Sequence, residues 1–456
     1  MPSQPCRPWW YDTPGYKYPG QSMGKPSLLH KLQDHYSELD HKDNMCQIQA
    51  LAAELASNAD VLSRELSAQG HELSSLTGSD SPLDYPVMTP EGSAARDAVI
   101  LAANEIIRLS TGPIGNLVRY CDSAIQSGVI DALIELRVPH IIPVVGSKSY
   151  GELAQDTGAS EDLLRRLIRL AILGGFLDEH DGLVKHNSVS SIFVKHPEAA
   201  SAMRWTLNST LKMIPNISES ITQDGSGSCS RLAPLTLAYR VGDYHPSLWE
   251  IIAQQGAAGQ GFHDLMAIVQ IASDTSLHHL VQAFDWTKIQ SLVDVGGSRG
   301  QTARAIANKF PHIKCTVQDT SEAISNASKG TDISFMEHDF FQPQPLQADA
   351  FLYRMIFHDF ADEDVRRILS ALSGALVPGN RLLIMDIVLP DGNEISPTLE
   401  HKLRIRDVQM FSLVAGRERR LQEFNDLVQG ILPNMKLEGC HLPTGSTLSL
   451  MSWVYV

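Results

Sequence analysis

Two patterns of hydrophobic positions divide the chain. Up to about residue 286 apolar side chains recur at helical spacing, whereas beyond it short apolar, β-rich runs alternate with helical segments. The helical pattern begins in residues 28–69, where Ile48, Leu51 and Leu55 fall on one face. The pattern predicts a helical N-terminal part followed by a layered α/β region.

The first 92 residues separate into a tail, a helical extension and a linker. Residues 1–27 are rich in Pro, Gly and aromatic residues without periodicity, which is typical of a disordered tail. A Ser/Pro/Asp-rich linker at 76–92 ends a helical extension that spans residues 28–92. We expect Thr89-Pro90 to begin the next helix, because Pro fits the first helical position.

Residues 147–187 carry the pattern of a winged helix. Ser149 and Ser160 each precede a short helix, Gly158 lies in the turn between them, and FLDEHDGLVKHN predicts a hairpin. Such a unit either recognises DNA or serves as a packing or dimerisation module. The second helix carries three arginines against two acidic residues, a weak positive surplus for a DNA groove, so we favour the second interpretation.

The region 286–456 predicts a mostly parallel sheet of seven strands. The alternation of strands and helices implies right-handed β-α-β units sandwiched between helices. The last two strands are joined only by PTGS, which is too short for a crossover, so the final strand is expected to run antiparallel. The predicted strands are SLVDVGG, KCTVQD, ISFMEHD, DAFLYRMIF, RLLIMDIVL, MKLEGCHL and TLSLMSWVYV.

Composition narrows the class of protein. The 456 residues are 43% hydrophobic and 20% charged, which is ordinary for a globular protein. The net charge of −15 disfavours a nucleic-acid partner. The six cysteines form no C-x-x-C pair and are interpreted as reduced thiols in the cytoplasm. No apolar run reaches the ~18 residues of a membrane span and no signal peptide is visible, so we expect neither membrane insertion nor secretion.

The end of the first predicted strand, DVGGSRG, is a candidate ligand-binding loop. In open α/β sheets ligands bind beyond the carboxyl ends of strands, where Asp294, Gly296 and Gly297 stand directly before a helix. The glycines allow close approach of the backbone, and the helix N-terminus favours a carboxylate. Ser298 replaces the second glycine of G-x-G-x-x-G, and no P-loop lysine follows, so nucleotide phosphates are disfavoured. A plain tight turn is the alternative.

The next two strand ends fit an adenosyl group. Asp319 can accept two hydrogen bonds from a ribose diol, although it could instead cap a helix. Asp339 and Phe340 offer an acid and a ring to adenine, unless Phe340 and Phe341 only fill the core. Together the strand ends predict an adenosyl ligand that carries an amino-acid carboxylate instead of phosphates.

The fourth strand leads to His358, a candidate proton acceptor at neutral pH. A structural histidine is the alternative. Asp386 ends the next strand on the same rim, and Glu418 lies downstream in AGRERRLQEF. A carboxylate hydrogen-bonded to the imidazole would fix its tautomer and raise its basicity, as in a catalytic triad.

In combination, DVGGSRG, VQD, EHDFF, HDFADEDVRRIL and GRERRLQEF resemble the fungal and plant class I S-adenosylmethionine-dependent O-methyltransferases with an N-terminal winged-helix dimerisation domain. The resemblance covers about residues 95–456. It implies a dimerisation domain at 93–200, connecting helices at 201–285 that line the substrate pocket, and a Rossmann-like catalytic domain at 286–456. Residues 1–90 extend beyond plant-type relatives, and we assign them no activity.

The resemblance also assigns roles to residues. It makes His358 the general base, flanked by Asp386 and Glu418, with Asp386 one methylene shorter than the Glu usual in plant relatives. The implied cofactor-binding residues are Asp294, Gly296, Gly297, Asp319, Asp339, Phe340 and Arg354. The residues expected in the substrate pocket are Phe262 and Met266.

The implied activity is methylation of a hydroxyl on an aromatic, polyketide-like or alkaloid metabolite by a homodimer that uses S-adenosylmethionine. A phenol suits a histidine base best, because its pKa of about 10 is closer to that of histidine than the pKa of an alcohol is. Two alternatives remain: an enzyme of this fold that uses the sulfonium charge to steer a pericyclic rearrangement, and a winged-helix DNA-binding regulator. No compact acidic cluster suggests Mg²⁺, so no metal requirement is expected.

Overall fold

The computed structural model describes residues 43–71, 78, 81, 85–86, 88–256, 259–325, 333–392 and 395–456. The predicted tail at 1–27 and part of the predicted linker at 76–92 lie outside the described residues. The helix predicted at 28–69 is present from residue 43 onwards as α1 (Asp43–Ala68). Residues Met45–Val456 form one contact unit.

The second helix, α2 (Pro90–Glu135), begins where the sequence predicts. The Thr89 hydroxyl accepts a hydrogen bond from the Gly92 N–H at 3.1 Å, and Pro90 occupies the first turn. The helix is kinked at Gly112, whose φ of 70° and ψ of 174° are not helical, directly before Pro113. The kink divides this long helix into two segments.

The winged-helix prediction is confirmed. Its elements are α3 (Val138–Ile141), β1 (Lys148–Ser149), α4 (Tyr150–Thr157), α5 (Glu161–Leu173), β2 (Asp178–His180) and β3 (Leu183–Lys185). Ser149 and Glu152 form a capping box at the start of α4, Gly158 takes the left-handed conformation at its end, and Ser160 caps α5. The wing has one strand more than the sequence predicts, because β1 pairs with β3 in the order β1-β3-β2.

Seven helices connect the wing to the sheet. They are α6 (Ser188–Lys195), α7 (Pro197–Met213), α8 (Ile217–Gln223), α9 (Pro234–Ala238), α10 (Leu248–Gln254), α11 (Gln260–Ile271) and α12 (Leu277–Ala283). Trp205 of α7, Leu248 of α10 and Phe262 of α11 share one apolar cluster with Leu413, which comes from a much later helix. The connecting helices are therefore packed against a C-terminal segment of the chain.

The strands of the large sheet are β4 (Ser291–Val295), β5 (Lys314–Asp319), β6 (Ile333–Glu337), β7 (Ala350–Arg354), β8 (Arg381–Asp386), β11 (Met435–His441) and β12 (Ser449–Tyr455). The order of these seven strands is β11-β12-β8-β7-β4-β5-β6. All neighbouring pairs are parallel except β8 with β12 and β12 with β11, so β12 alone is reversed, as the short PTGS connection predicts.

The run RLLIMDIVL is not one strand, which corrects the sequence prediction. After β8 the chain leaves the large sheet, and β9 (Val388–Leu389) pairs in parallel with β10 (Arg419–Arg420). Because Glu418 directly precedes β10, this small pairing brings the segment that carries Glu418 back beside the end of β8.

Alternate residues of the central strands face two cores, so the sheet is buried on both sides. Phe351 and Tyr353 of β7 belong to one core, and Leu352 between them belongs to the other. The remaining helices are α13 (Gln301–Lys309), α14 (Ser321–Ser325), α15 (Asp362–Leu372), α16 (Pro397–Val414) and α17 (Leu421–Ile431). In the described part of the chain, no helix combines the length and apolar character that crossing a bilayer requires.

The buried face of α15 gives a direct test of this packing. Val365 is 0% exposed, whereas Val377, shortly after the helix, is 45% exposed. We expect Val365→Ala to lower the free energy of unfolding by about 2 kcal/mol and Val377→Ala by less than about 0.5 kcal/mol, because only the first leaves a cavity. Urea unfolding followed by circular dichroism measures both changes. Equal losses would contradict the assigned core.

Candidate functional site

The predicted ligand-binding residues collect at the carboxyl edge of the parallel strands. Asp319 ends β5, Arg354 ends β7 and Asp386 ends β8, while Asp294 is the penultimate residue of β4. The register pairs Arg354 with Met385 and Val295 with Gln318, which brings these strand ends level. The site is therefore built by the sheet itself, at the edge where open α/β sheets bind ligands.

The glycine loop follows β4 and is held against β5. The Gln318 carbonyl oxygen accepts hydrogen bonds from the N–H groups of Gly296 at 2.8 Å and Gly297 at 3.3 Å. A Cβ atom at Gly297 would lie 2.5 Å from Oδ2 of Asp294 and 3.0 Å from Val317. Only glycine allows the backbone to pass this close to the Asp294 carboxyl group.

Asp319 ties this loop to the second strand. Its Oδ2 accepts a hydrogen bond from the Ser298 N–H at 2.8 Å, and its Oδ1 accepts one from the Thr320 N–H at 2.7 Å. Ser298 has a φ of 52°, a left-handed conformation that costs a non-glycine residue on the order of 1 kcal/mol. Asp319 thus holds a strained turn, and it does not simply cap a helix.

Three buried charged groups lie between the glycine loop and the end of β8. Among the residues that the structure describes, Oδ2 of Asp294, Nε of Arg354 and both carboxylate oxygens of Asp386 find no hydrogen-bond partner. Burial raises the pKa of Asp294 to about 7 and of Asp386 to about 7, and it lowers the pKa of Arg354 to about 10. Buried polar atoms without partners are costly in a folded protein, so this set points to a bound polar ligand.

Arg354 also contacts a loop outside the sheet. Its Nη2 donates a hydrogen bond to the Thr275 carbonyl oxygen at 2.6 Å, and Thr275 lies just before α12. This contact is with protein backbone, so the guanidinium is fixed in place before any ligand binds. The cofactor contact that the resemblance implies for Arg354 stays a prediction.

An aromatic group stands beside the glycine loop. The ring of Phe340 lies 5.1 Å from that of Phe341 and 5.8 Å from that of Phe360, both in tilted or edge-on arrangements. Asp339 is exposed, and its Oδ1 accepts a hydrogen bond from the Phe341 N–H at 3.0 Å. The rings of Phe340 and Phe341 also pack against the core of the sheet, as one sequence interpretation expects, while the adenine contact of Asp339 and Phe340 stays a prediction.

His358 and Glu418 form a buried, hydrogen-bonded pair. His358 Nδ1 lies 2.9 Å from Glu418 Oε1, and the two side chains are 7% and 1% exposed. This bond leaves Nε2 as the free nitrogen, with Asp359 Oδ1 3.7 Å away. Asp386 makes no hydrogen bond to the imidazole, so only one of the two predicted flanking acids holds it directly.

The three neighbouring carboxylates decide the charge of His358. Burial by itself lowers the pKa of the imidazole, but the charges of Glu418, Asp359 and Asp386 and the Glu418 hydrogen bond outweigh it and raise that pKa to about 10. Burial likewise raises the pKa of Asp359. When neutral, this imidazole is therefore a much stronger base than an ordinary histidine.

The turn that carries His358 is clamped by Arg419, a residue that the sequence analysis did not single out. Arg419 is 0% exposed and donates to the carbonyl oxygens of Phe357 at 2.8 Å and Phe360 at 2.7 Å. It also pairs with Asp362 at 2.8 Å. No pattern distinguishes it from the exposed Arg420 beside it, because both lie in the same charged run.

Gly416 is a second residue near His358 that the sequence analysis did not single out. A Cβ atom there would lie 2.1 Å from the His358 carbonyl oxygen, and the next N–H, that of Arg417, donates to this oxygen at 2.9 Å. The segment before Glu418 therefore runs in direct contact with the backbone of His358. Ala415, with a φ of 56°, makes the turn out of α16 that allows this approach.

The two residues expected in the substrate pocket lie on α11. Phe262 is half-buried and packs edge-on against Trp205 at 5.1 Å and Trp249 at 5.7 Å. Met266 is half-buried one turn further along the same face. Because this apolar cluster includes Leu413 of α16, it reaches towards the segment that leads to Glu418.

No group of three or more metal-ligating side chains is arranged to hold an ion within the described residues. Because the described residues are only part of the chain, the expected activity without a metal ion stays a prediction.

Comparison with known proteins gives consistent matches. A model described as an O-methyltransferase domain matches residues 237–431, and an O-methyltransferase dimerisation domain matches residues 118–196. A 6-hydroxytryprostatin B O-methyltransferase of Neosartorya fischeri is 39% identical over 420 residues, which are 90% of this chain and 100% of that protein. The O-methyltransferase FrzF of a Cladobotryum species is 36% identical over 424 residues, 90% of this chain and 99% of the relative.

One solved structure agrees with these relatives. The mitomycin 7-O-methyltransferase MmcR is similar with a TM-score of 0.63 at 25% identity, and the match covers 80% of this chain and 100% of that protein.

The charge of His358 can be measured directly. We expect nuclear magnetic resonance of 15N-histidine-labelled protein to show His358 protonated at pH 8 and titrating near pH 10. Glu418→Gln removes a negative charge that favours the imidazolium, so this titration should move to lower pH. Glu363→Gln, an exposed carboxylate on α15, is the matched control and should leave it unchanged. An unmoved titration in Glu418→Gln would refute the assigned coupling.

Proposed function

Because this chain belongs to the O-methyltransferase family, we propose that it transfers a methyl group from S-adenosylmethionine to a phenolic hydroxyl of a small secondary metabolite. The observation that carries the proposal is the buried, hydrogen-bonded His358–Glu418 pair, which lies at the same sheet edge as the glycine loop. The loop supplies a place for the donor, and the pair supplies a base for the acceptor hydroxyl.

The residues at the strand ends fit the donor. In this proposal Asp319 uses its remaining acceptor capacity for a ribose diol, and Asp339 and Phe340 contact the adenine amino group and ring. The unpartnered Oδ2 of Asp294, beside a Gly297 that a Cβ would block, leaves a buried acceptor for a polar ligand atom. When bound, S-adenosylmethionine supplies an electrophilic methyl group on a sulfonium. The chain's task is to orient the acceptor and to take its proton.

His358 takes that proton at Nε2. Its Nδ1 is engaged by Glu418 at 2.9 Å, which fixes the ring and stabilises the imidazolium once it forms. The neutral form of the imidazole is the proton acceptor, and this form becomes more abundant as the pH rises towards its pKa of about 10. That pKa matches a phenol of pKa about 10, so proton transfer between the two is close to balanced. An aliphatic alcohol would be several units less acidic, which is why we propose a phenol as the acceptor.

The acceptor is proposed to be a hydroxylated aromatic metabolite. Two relatives are named for 6-hydroxytryprostatin B, which makes this compound the first acceptor to examine. Phe262 and Met266 offer an apolar surface on α11, which suits an aromatic body better than a highly charged one. The comparisons do not favour the pericyclic alternative, since the named relatives at 36–41% identity are O-methyltransferases.

The DNA-binding alternative is not favoured either. On α5, Arg165 is paired with Glu161 at 2.7 Å and lies 4.1 Å from the centre of the Tyr150 ring. Arg169 lies 3.8 Å from Glu179. Cations that are neutralised within the protein contribute little to phosphate binding, and the net charge of −15 opposes it.

The helical N-terminal part is proposed to form a homodimer. Large apolar side chains lie exposed along one stretch of α2, which overlaps the dimerisation match at 118–196. Exposed apolar patches of this kind mark protein interfaces. The residues and their exposures are Ile114 (80%), Leu117 (68%), Tyr120 (77%) and Ile125 (60%).

We also propose that the protein works in the cytoplasm. The described cysteines Cys121, Cys229, Cys315 and Cys440 are not joined in disulfides, which fits a reducing compartment.

The activity is tested by methyl transfer from donor labelled in its methyl group to a panel of phenols that includes 6-hydroxytryprostatin B. We expect a product heavier by one CH₂, and about 10²- to 10⁴-fold slower turnover in His358→Ala, because the general base is lost. Calorimetry with S-adenosylhomocysteine should show unchanged affinity in that variant. Wild-type turnover in His358→Ala would exclude the assigned base, and a product of unchanged mass would support the pericyclic alternative.

The dimer is tested by light scattering after size exclusion. We expect the wild type at twice the chain mass of 50.1 kDa, and Ile114→Glu/Leu117→Glu as a monomer, since like charges would meet across the apolar contact. Val377→Glu, an exposed valine of the sheet region, is the control and should remain dimeric. A dimer that survives the double substitution would place the interface elsewhere.

A further inference from the structure

Every methyl transfer to a hydroxyl leaves one proton in the site. On the function proposed above, the O–CH₃ bond forms, the S–CH₃ bond breaks, and the hydroxyl proton becomes bonded to Nε2 of His358. That proton must reach solvent before the base can act again. The question is therefore which group accepts it from an imidazole that is almost fully buried.

Glu418 is not placed for this task. It contacts Nδ1 at 2.9 Å, on the opposite side of the ring from the proton, and its side chain is 1% exposed. Asp386 is 0% exposed and makes no hydrogen bond to the ring. A proton passed to either carboxylate would remain inside the protein.

Asp359 differs from both. Its Oδ1 lies 3.7 Å from Nε2, the nitrogen that receives the proton, and its side chain is 25% exposed against 7% for His358. Among the four ionisable groups of this cluster it is the one that joins the reacting nitrogen to the surface. A distance of 3.7 Å is bridged by one water molecule or by a small rotation of the carboxylate.

The backbone fixes Asp359 in this place. Its N–H donates to the Ile356 carbonyl oxygen at 3.2 Å, and Arg419 holds the carbonyl oxygens of Phe357 and Phe360 on either side. On the other side Gly416 passes so close that a Cβ would lie 3.0 Å from the Asp359 carbonyl carbon. The backbone of Asp359 is therefore held beside the imidazole, while its carboxylate can still rotate towards Nε2.

From this geometry we propose that Asp359 is the proton exit of the active site: it takes the proton from Nε2 of His358 and releases it to solvent. The Nε2–H bond breaks as an O–H bond forms on Asp359, and a water molecule or buffer base then removes that proton. Burial raises the pKa of Asp359, which brings it closer to that of the imidazole and makes the transfer less uphill.

The test is turnover of Asp359→Asn with labelled methyl donor and any phenol that the wild type methylates, at low buffer concentration. We expect turnover to fall at least about tenfold with an unchanged KM for the donor, because the exit is slowed and binding is not. Added imidazole, a small base that can enter the site, should restore turnover in a saturating way. Wild-type turnover should not respond to imidazole.

Two further variants separate proton exit from a structural role. Asp359→Glu keeps a carboxyl group and should turn over without imidazole, whereas Asp364→Asn removes an exposed carboxylate on α15 and should behave as wild type. An Asp359→Asn variant that imidazole does not rescue, or equal losses in the Asn and Glu variants, would overturn the proposal. Failure of the proposed function would differ, since the wild type would then methylate none of the phenols.

Discussion

The site depends on one buried hydrogen bond, between Nδ1 of His358 and Glu418. Taking a carboxylate and an imidazole out of water costs several kcal/mol, which their attraction offsets only if the geometry is held closely. The fully buried guanidinium of Arg419 helps to meet this condition, because it binds the partly exposed Asp362 and two carbonyl oxygens of the turn that carries His358. The base is thus positioned by backbone contacts as well as by its partner carboxylate.

The same constraint explains the unusual backbone nearby. His358 and Glu418 are 60 residues apart, and the chain between them includes β8, β9 and α16 before it returns. To bring Glu418 under the imidazole, Ala415 adopts a φ of 56° and Gly416 passes over the His358 carbonyl. Strained residues of this kind persist when their surroundings over-determine them, and here they serve to close the pair.

The sequence predicts the fold well because its signals are local. Strand runs, the Ser149 and Ser160 caps and the short PTGS turn each specify an element without knowledge of distant partners. The site is predicted less completely, because its geometry is non-local. The identity of Asp386 is visible in the sequence, but the absence of a hydrogen bond between its carboxylate and His358 is visible only in the folded chain. The burial of Arg419 likewise follows only from the packing of the turn between Phe357 and Phe360.

Acidic residues that make no hydrogen bond to His358 still influence its pKa through their charges. Asp386 makes no hydrogen bond to the ring, yet its negative charge is among those that raise the pKa of His358 to about 10, and the imidazolium charge in turn favours the ionised form of Asp386. The cluster therefore resists losing the imidazolium proton as the medium becomes more basic, and it keeps an excess of negative charge in a site that must receive a cationic donor. An imidazole with so high a pKa deprotonates a phenol readily when it is neutral, but it then releases the proton slowly. A partly exposed carboxylate beside Nε2 is then the feature that such a site needs most.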